Sequence, residues 1–400
     1  MKSSFFGRSL KALVVSLAVG LGMTACGGGT IGFMWVLGAN AANGTTGQIG
    51  GFKIDDFTGN LTNIVHSPFA SGGANPVHLV VKPGGRFIYV INQGSGTTAG
   101  NIALFSVGGD GVLSYQQTYF SQGSTPVWAQ FDSTGGVLYV LDQVGFGGTT
   151  AGDVTAFSVS NDTGRLTLLL NPNIKDPITQ QPITYFPTGP APIMAKFVGG
   201  YLLVLNNNNT VTALQEGAAG VLLATNSTAQ IIAGASKLTS INGSGGSYIY
   251  LTDSTANAIL PFTLGTNGTL AALTGGTVAN LFPGTQPTNT LTSNNGKFLY
   301  VLNQSSVGST NPASSISAFT IDPSSGKLQG ISDSPYPVGS GPVCMVQDPS
   351  SQYVFTSNHV DGTVTGFLIN QNTGQLSGLQ HGSVFPTVSS PTCLVVSGAV

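Results

Sequence analysis

Charge is what this 400-residue chain has least of: Asp, Glu, Lys and Arg together make up 6% of it. Glu216 is its only glutamate, and Arg8, Arg86 and Arg165 are its only arginines. So few cations cannot form the basic stripe that neutralises phosphates, which excludes nucleic acid as a partner. Cysteine is scarce too, with three in all and no CxxC pair to suggest a zinc ribbon or a redox helix. The HExxH, GxSxG and GxxxxGK patterns are absent. A GxGxxG over residues 27–32 follows no strand, so it lacks the setting in which such a turn cradles a dinucleotide. The reading therefore predicts no cofactor and no metal. Long apolar runs are missing as well: residues 12–21 form a stretch too short to read as a spanning helix.

What the chain has in quantity is 57 Gly, 21 Pro and 41% apolar residues, and they recur in order. Residues 76–92 read PVHLVVKPGGRFIYVIN: a Pro-led apolar run, a turn, and an aromatic apolar run closed by Asn. The first run returns at Pro126, Pro192, Ser236, Pro287, Pro342 and Pro391, at intervals of 44 to 66 residues. Such a period marks a repeat architecture. The second runs (87–91, 137–141, 201–205, 248–251, 298–302 and 353–356) are aromatic and β-branched with little polar alternation, as expected of strands buried on both faces. A seventh, 33–37, lies at the other end of the chain. Third runs follow at 49–54, 102–107, 154–159, 211–214, 259–264, 316–321 and 364–369, and turns such as Thr163-Gly164-Arg165-Leu166 lead to a fourth. Four strands in each of seven repeats predict an all-β fold, a seven-bladed β-propeller of antiparallel four-stranded blades. The last first run (391–396) has no second run after it, and 33–37 has no first run before it. Together they complete one blade, closing the ring with strands from both termini and removing a free sheet edge.

Residues 1–25 are of another kind. Lys2, Arg8 and Lys11 flank the start of the apolar stretch, and Met23-Thr24-Ala25 precede Cys26. This is the pattern of a secretory signal, and the placement of Cys26 resembles the lipobox of bacterial lipoproteins. The resemblance implies a lipidated Cys26, a Gly-rich tether over 26–32, and a propeller over 33–400 held at the cell envelope by two kinds of acyl anchor. Removing the segment leaves 9 Lys and Arg against 14 Asp and Glu, a net of about −5.

Seven residues end the second strands on the face around the channel mouth: Gly38, Asn92, Asp142, Asn206, Asp253, Asn303 and Asn358. Such a ring either binds a polyhydroxylated ligand, or a hard cation through Asp142 and Asp253, or organises its own turns by bonding the local backbone. His78, two residues after Pro76, and His359, just after Asn358, reach the same region as candidate proton-transfer groups. With no partner carboxylate at a fixed spacing, each also reads as a satisfied structural histidine. Cys344 and Cys393 stand two residues after the Pro of consecutive first strands, where they form either a disulfide or two buried thiols. Most crossovers carry one aromatic (Phe69, Phe120, Phe186, Phe282, Tyr336, Phe385), a stacking platform for sugars or a plug between blades.

The motifs Pro76-Val77-His78, Pro83-Gly84-Gly85-Arg86-Phe87-Ile88-Tyr89-Val90 and Phe319-Thr320-Ile321-Asp322, with Ser325-Gly326-Lys327-Leu328, resemble the seven-bladed lactonase family that includes bacterial 6-phosphogluconolactonase. The resemblance extends over nearly all of residues 33–400 and implies hydrolysis of a sugar lactone at the channel mouth by histidine, arginine and acidic groups. Only His78 matches a position of that pattern. Scarce arginine and export both point to an unphosphorylated lactone or sugar derivative as ligand. The alternative is a non-catalytic envelope propeller that binds a small molecule or a protein at its mouth.

Overall fold

The computed structural model describes residues 29–39, 46–96, 98–176, 179–230, 235–273, 278–279, 286–304 and 314–398. Cys26, residues 1–25 with the pattern expected of a secretory signal, and Phe282 lie outside the described residues.

Seven antiparallel sheets stand around one axis. Blade 1 runs outward through Pro76–Val81, Phe87–Asn92, Asn101–Val107 and Leu113–Tyr119. Blade 2 begins with Ser124–Phe131, blade 3 with Pro192–Val198, blade 4 with Ala235–Gly243, blade 5 with Pro287–Thr292 and blade 6 with Pro342–Gln347. Blade 7 takes its inner strand, Pro391–Gly398, from the C-terminal end and its second strand, Thr30–Gly38, from the N-terminal end. The expected closure is thus present. Each inner strand packs against the inner strands of the two adjoining blades, so the seven complete a ring. The second strands are the driest part: Trp35, Tyr89, Tyr139, Tyr250, Tyr300 and Tyr353 are buried. That explains the apolar runs without alternation in the sequence.

The aromatic of the second strand and the Gly of the turn between third and fourth strands are two halves of one device. Tyr89 of blade 1 donates its hydroxyl to Gly164 O of blade 2 at 2.5 Å. Tyr139 reaches Gly220 O of blade 3 (3.0 Å), Tyr250 reaches Gly326 O of blade 5 (2.9 Å), and Tyr300 reaches Gly374 O of blade 6 (3.0 Å). Across the closing seam the Trp35 indole donates to Gly111 O of blade 1 at 3.2 Å. The turn must be Gly for two reasons at once. At Gly326 φ is +69°, and a Cβ would come within 2.4 Å of the Tyr248 ring. Five of the seven blades are thereby latched to the next by a hydrogen bond that is buried and therefore costly to leave unmade, while blades 3 and 6 carry Leu203 and Phe355 at this register.

The inner strands share a second device. Pro76 pairs with Asn92, yet His78 pairs with Ile91, so residue 77 is one extra in its strand. The same slip of one residue opens the other six inner strands. A bulge at this place re-aims the chain as it enters the channel. Ahead of it, Asn75, Thr125, Ala191, Gln286, Gly341 and Ser390 all take positive φ. In blade 4 the role of the proline falls to Ala235, which pairs with Asp253, one residue before the start read from the sequence.

Crossover segments add a fifth strand to several blades: Phe69–Ala74 pairs back onto the third strand of blade 7, and Phe186–Pro190 onto that of blade 2. Phe186 and Tyr336 are buried, Phe69 and Phe385 are half-buried, and Phe120 is exposed. The crossover aromatics are therefore not one uniform set.

Candidate functional site in the central channel

Because every inner strand opens with the same bulge, one register position recurs seven times around the axis: His78, Trp128, Met194, Lys237, Asn289, Cys344 and Cys393. All seven line one cavity of about 740 Å³ inside the channel, a volume suited to a small-molecule ligand. The cavity follows the inner strands as far as Asn294, Asn295 and Gly296, in the turn of blade 5 at the opposite end of those strands.

The ring is a connected constellation. His78 stacks on Trp128 with ring centroids 3.7 Å apart and an interplanar angle of 18°. The Lys237 ammonium lies over the same indole, 4.1 Å from its centroid. Trp128 thus links blade 2 to blade 4 across the channel wall. His78 Nε2 is 3.2 Å from Ala129 O, which fixes the proton on that nitrogen and leaves Nδ1 as an acceptor 3.7 Å from Cys393 Sγ. Cys393 Sγ in turn lies 2.9 Å from Cys344 Sγ. Both cysteines are buried free thiols. Asn289 is anchored by donating to Val343 O at 3.1 Å, and Met194 Sδ accepts the Leu238 N–H.

Burial governs the titration of this group. It pulls His78 down to about 3, helped by the charge of Lys237 and opposed by the Ala129 carbonyl. The imidazole is neutral throughout the physiological range. Burial also lowers Lys237 and Lys196, the latter with a further push from Lys237. The Cys344 thiol is drawn down first by the hydrogen bond from Cys393 and also by Lys237, while Cys393 is pushed up. No Asp or Glu is among the residues lining the cavity. Among the described residues no cluster of three or more His, Cys, Asp or Glu is arranged to hold a metal ion.

The residues that end the second strands are placed differently. Asn92, Asp142, Asn206, Asp253, Asn303 and Asn358 are all buried and none lines the cavity. Their side chains bond the third strands, turns and crossovers around them. Asn206 donates to Thr210 Oγ1 (2.9 Å) and Thr212 Oγ1 (3.0 Å), and Asn358 donates to Thr363 Oγ1 (3.0 Å) and Thr365 Oγ1 (2.9 Å). Asn303 reaches Ser315 and Ser317, and Asn92 reaches Asn101 Oδ1 and Ser71 O. Asp253 accepts the backbone N–H groups of Thr255 and Ala256. Asp142 is paired in register with Asp153 rather than brought to Asp253, and accepts from Ser121 Oγ at 2.7 Å. Burial raises both of these carboxyls, Asp153 to about 6. His359 is half-buried, with Nδ1 3.1 Å from Pro391 O, and no described contact joins it to His78.

Of the residues singled out in the sequence, the structure brings His78, Cys344 and Cys393 together and leaves His359 and the Asn/Asp ring outside. Trp128, Met194, Lys237 and Asn289 escaped the sequence reading. The signal that locates them is their column, two residues after the Pro or its equivalent.

Residues 241–396 match the family model for the seven-bladed β-propeller lactonases. Proposed 6-phosphogluconolactonases from Bacteroides fragilis and Bacteroides uniformis share 20% and 17% identity with this chain at a TM-score of 0.70, covering 92% of it and 98% and 99% of themselves. A periplasmic gluconolactonase from Pseudomonas aeruginosa is 19% identical, with a TM-score of 0.66 over 92% of this chain and all of its own. Among curated proteins no sequence matches.

Proposed function

We propose that this lactonase-like seven-bladed propeller is an exported, membrane-anchored protein that opens an unphosphorylated lactone or sugar derivative in its central channel. The observation that carries the reading is the convergence of His78, Trp128, Lys237 and the two thiols on one cavity of suitable size. The likeness to a protein described as a periplasmic gluconolactonase supports it at the level of fold, and the leader with Cys26 supports export and lipid anchoring.

The chemistry would run on this chain's own groups. A lactone in the cavity beside Trp128 places its carbonyl oxygen near the Lys237 ammonium, which stabilises the negative charge that develops there. Water adds to the carbonyl carbon as His78 Nδ1 takes its proton. The ring C–O bond then breaks, the proton returns to the departing alkoxide oxygen, and a hydroxy acid leaves. A proton acceptor held near 3 works poorly at neutral pH, and no carboxylate braces it. Those two facts favour the second reading, a propeller that binds its ligand without chemistry.

Purified mature protein assayed on a panel of γ- and δ-lactones separates the two. Hydrolysis that falls at least about 100-fold in His78→Ala and less than about tenfold in His359→Ala supports the first reading. Ligand binding without turnover on any lactone supports the second, and turnover unchanged in His78→Ala removes His78 from the chemistry.

A further inference from the structure

Around the cavity, the polar groups with nothing to bond are mostly donors. Lys196 and Lys237 both line it, from the inner strands of blades 3 and 4, and neither makes an ion pair with a carboxylate lining the cavity. Lys237 lies over the Trp128 face, and the groups that act to hold its charge are the Cys344 and Cys393 thiols rather than a carboxylate. Trp128 Nε1, a donor and nothing else, is buried without a partner, as is the hydroxyl of Thr290, which also lines the cavity. The Asn289 amide already donates to Val343. The contrast with the rest of the molecule is sharp. Outside its leader segment the chain is acidic overall, yet the charged groups on the channel wall are both cations, and the His78 imidazole beside them is neutral.

Two ammonium groups, the Lys196 one depressed by the charge of Lys237, with an unpartnered N–H and a hydroxyl nearby, form a site with no carboxylate to answer them. From this arrangement we infer that the channel is an anion-recognition site whose ligand carries a carboxylate set at Lys196 and Lys237, with its carbon skeleton in the cavity beside Trp128 and Met194. A carboxylate fits better than a phosphate ester. The two point charges are not supplemented by an arginine fork or a helix N-terminus among the described residues. A bound carboxylate would also screen Lys237 from His78, easing one of the two causes that hold the imidazole below its ordinary range. The inference rests on the channel being the ligand site, as in the proposed function, and not on hydrolysis.

The test is a calorimetric titration of the mature protein at low salt with four probes: glucose, glucono-δ-lactone, glucuronate and glucose 6-phosphate. The expected result is that glucuronate binds at least about tenfold more tightly than glucose and more tightly than glucose 6-phosphate, and that its affinity falls as salt is raised. Lys237→Met and Lys196→Met should each lose about tenfold for glucuronate, and Lys237→Arg should retain most of the affinity. Unchanged thermal midpoints in the Met variants show that they fold. Equal affinity for glucose and glucuronate, preference for the phosphate ester, glucuronate binding unaffected by both Met substitutions, or binding of none of the probes would each overturn the inference. Failure of the hydrolytic reading looks different: glucuronate binds with the expected lysine dependence while no lactone turns over.

Discussion

Two rings circle the axis of this propeller, and they differ in kind. One, at the ends of the second strands, is nearly uniform: four Asn, two Asp and one Gly, six of them buried and bonded to the strands, turns and crossovers around them. The other, two residues into the inner strands, holds six residue types in seven positions and lines the cavity. The difference has a physical origin. A position that ends a strand and organises a turn faces the same task in every blade, so the same side chain recurs. A position on the shared axis packs against no turn of its own blade. It organises no turn, and although His78, Met194 and Asn289 bond the backbone of the adjoining blade, its side chain is free to vary with what the channel contents require. In a repeat protein, therefore, sameness at a register marks construction and divergence at a register marks the site.

Predictions that test this division run from large effects to small. Removing residues 391–400 takes away the inner strand of blade 7, with buried Leu394 and the partner of Thr30–Gly38. The truncated protein should lose its cooperative thermal transition or oligomerise. A monomer with an unchanged midpoint would mean that the ring closes some other way.

The Asp142–Asp153 pair comes next. Asp153 is raised to about 6 by burial, so the folded state holds a proton there that the unfolded chain releases near 4. Its contribution is present below about 4 and is lost as pH rises through about 6. Asp153→Asn should stabilise the protein at pH 7.5 by about 1–3 kcal/mol, change it little at pH 4, and flatten the midpoint-versus-pH curve between. A curve identical to the wild type would show that the two carboxyls are not competing for one proton.

The smallest effect concerns the turn into each channel strand. Ala191 takes φ of +42° in the position held by Gly341 in blade 6. Ala191→Gly should gain up to about 1 kcal/mol by relieving that strain, seen as a raised chemical-denaturation midpoint. A loss of stability would show that the backbone there is not strained.

The fold was legible because its devices repeat. The Pro that opens six of the seven inner strands, the second-strand aromatic and the turn Gly recur often enough to count seven blades and to see that 33–37 and 391–396 complete each other. That the aromatic and the Gly belong to one latch was hidden. Tyr89 and Gly164 are 75 residues apart, and only the closed ring brings them together. The site was half legible. His78, Cys344 and Cys393 drew attention by residue type, whereas Lys237 and Trp128 did not. Lysine and tryptophan carry no motif, and blade 4 opens on Ala235 where the others mostly have Pro. Counting charges showed that cations are few but not that two of them face the channel. The Asn/Asp ring was placed on the mouth face by topology alone. What topology does not tell is which way a side chain turns, and here the threonine and serine hydroxyls of the third strand capture the amides.

The most direct measurement sets one residue of each ring side by side. Asn358→Ala removes three side-chain hydrogen bonds within blade 6, to Thr356, Thr363 and Thr365, and Lys237→Met removes a cation from the channel. Glucuronate affinity and thermal stability are then measured on both folded variants. The division of labour predicts that Asn358→Ala loses about 1–3 kcal/mol of stability and binds as the wild type does, while Lys237→Met keeps its stability and loses about tenfold in affinity. A folded Asn358→Ala that no longer binds, beside a Lys237→Met that binds normally, would contradict the account and return the site to the mouth ring.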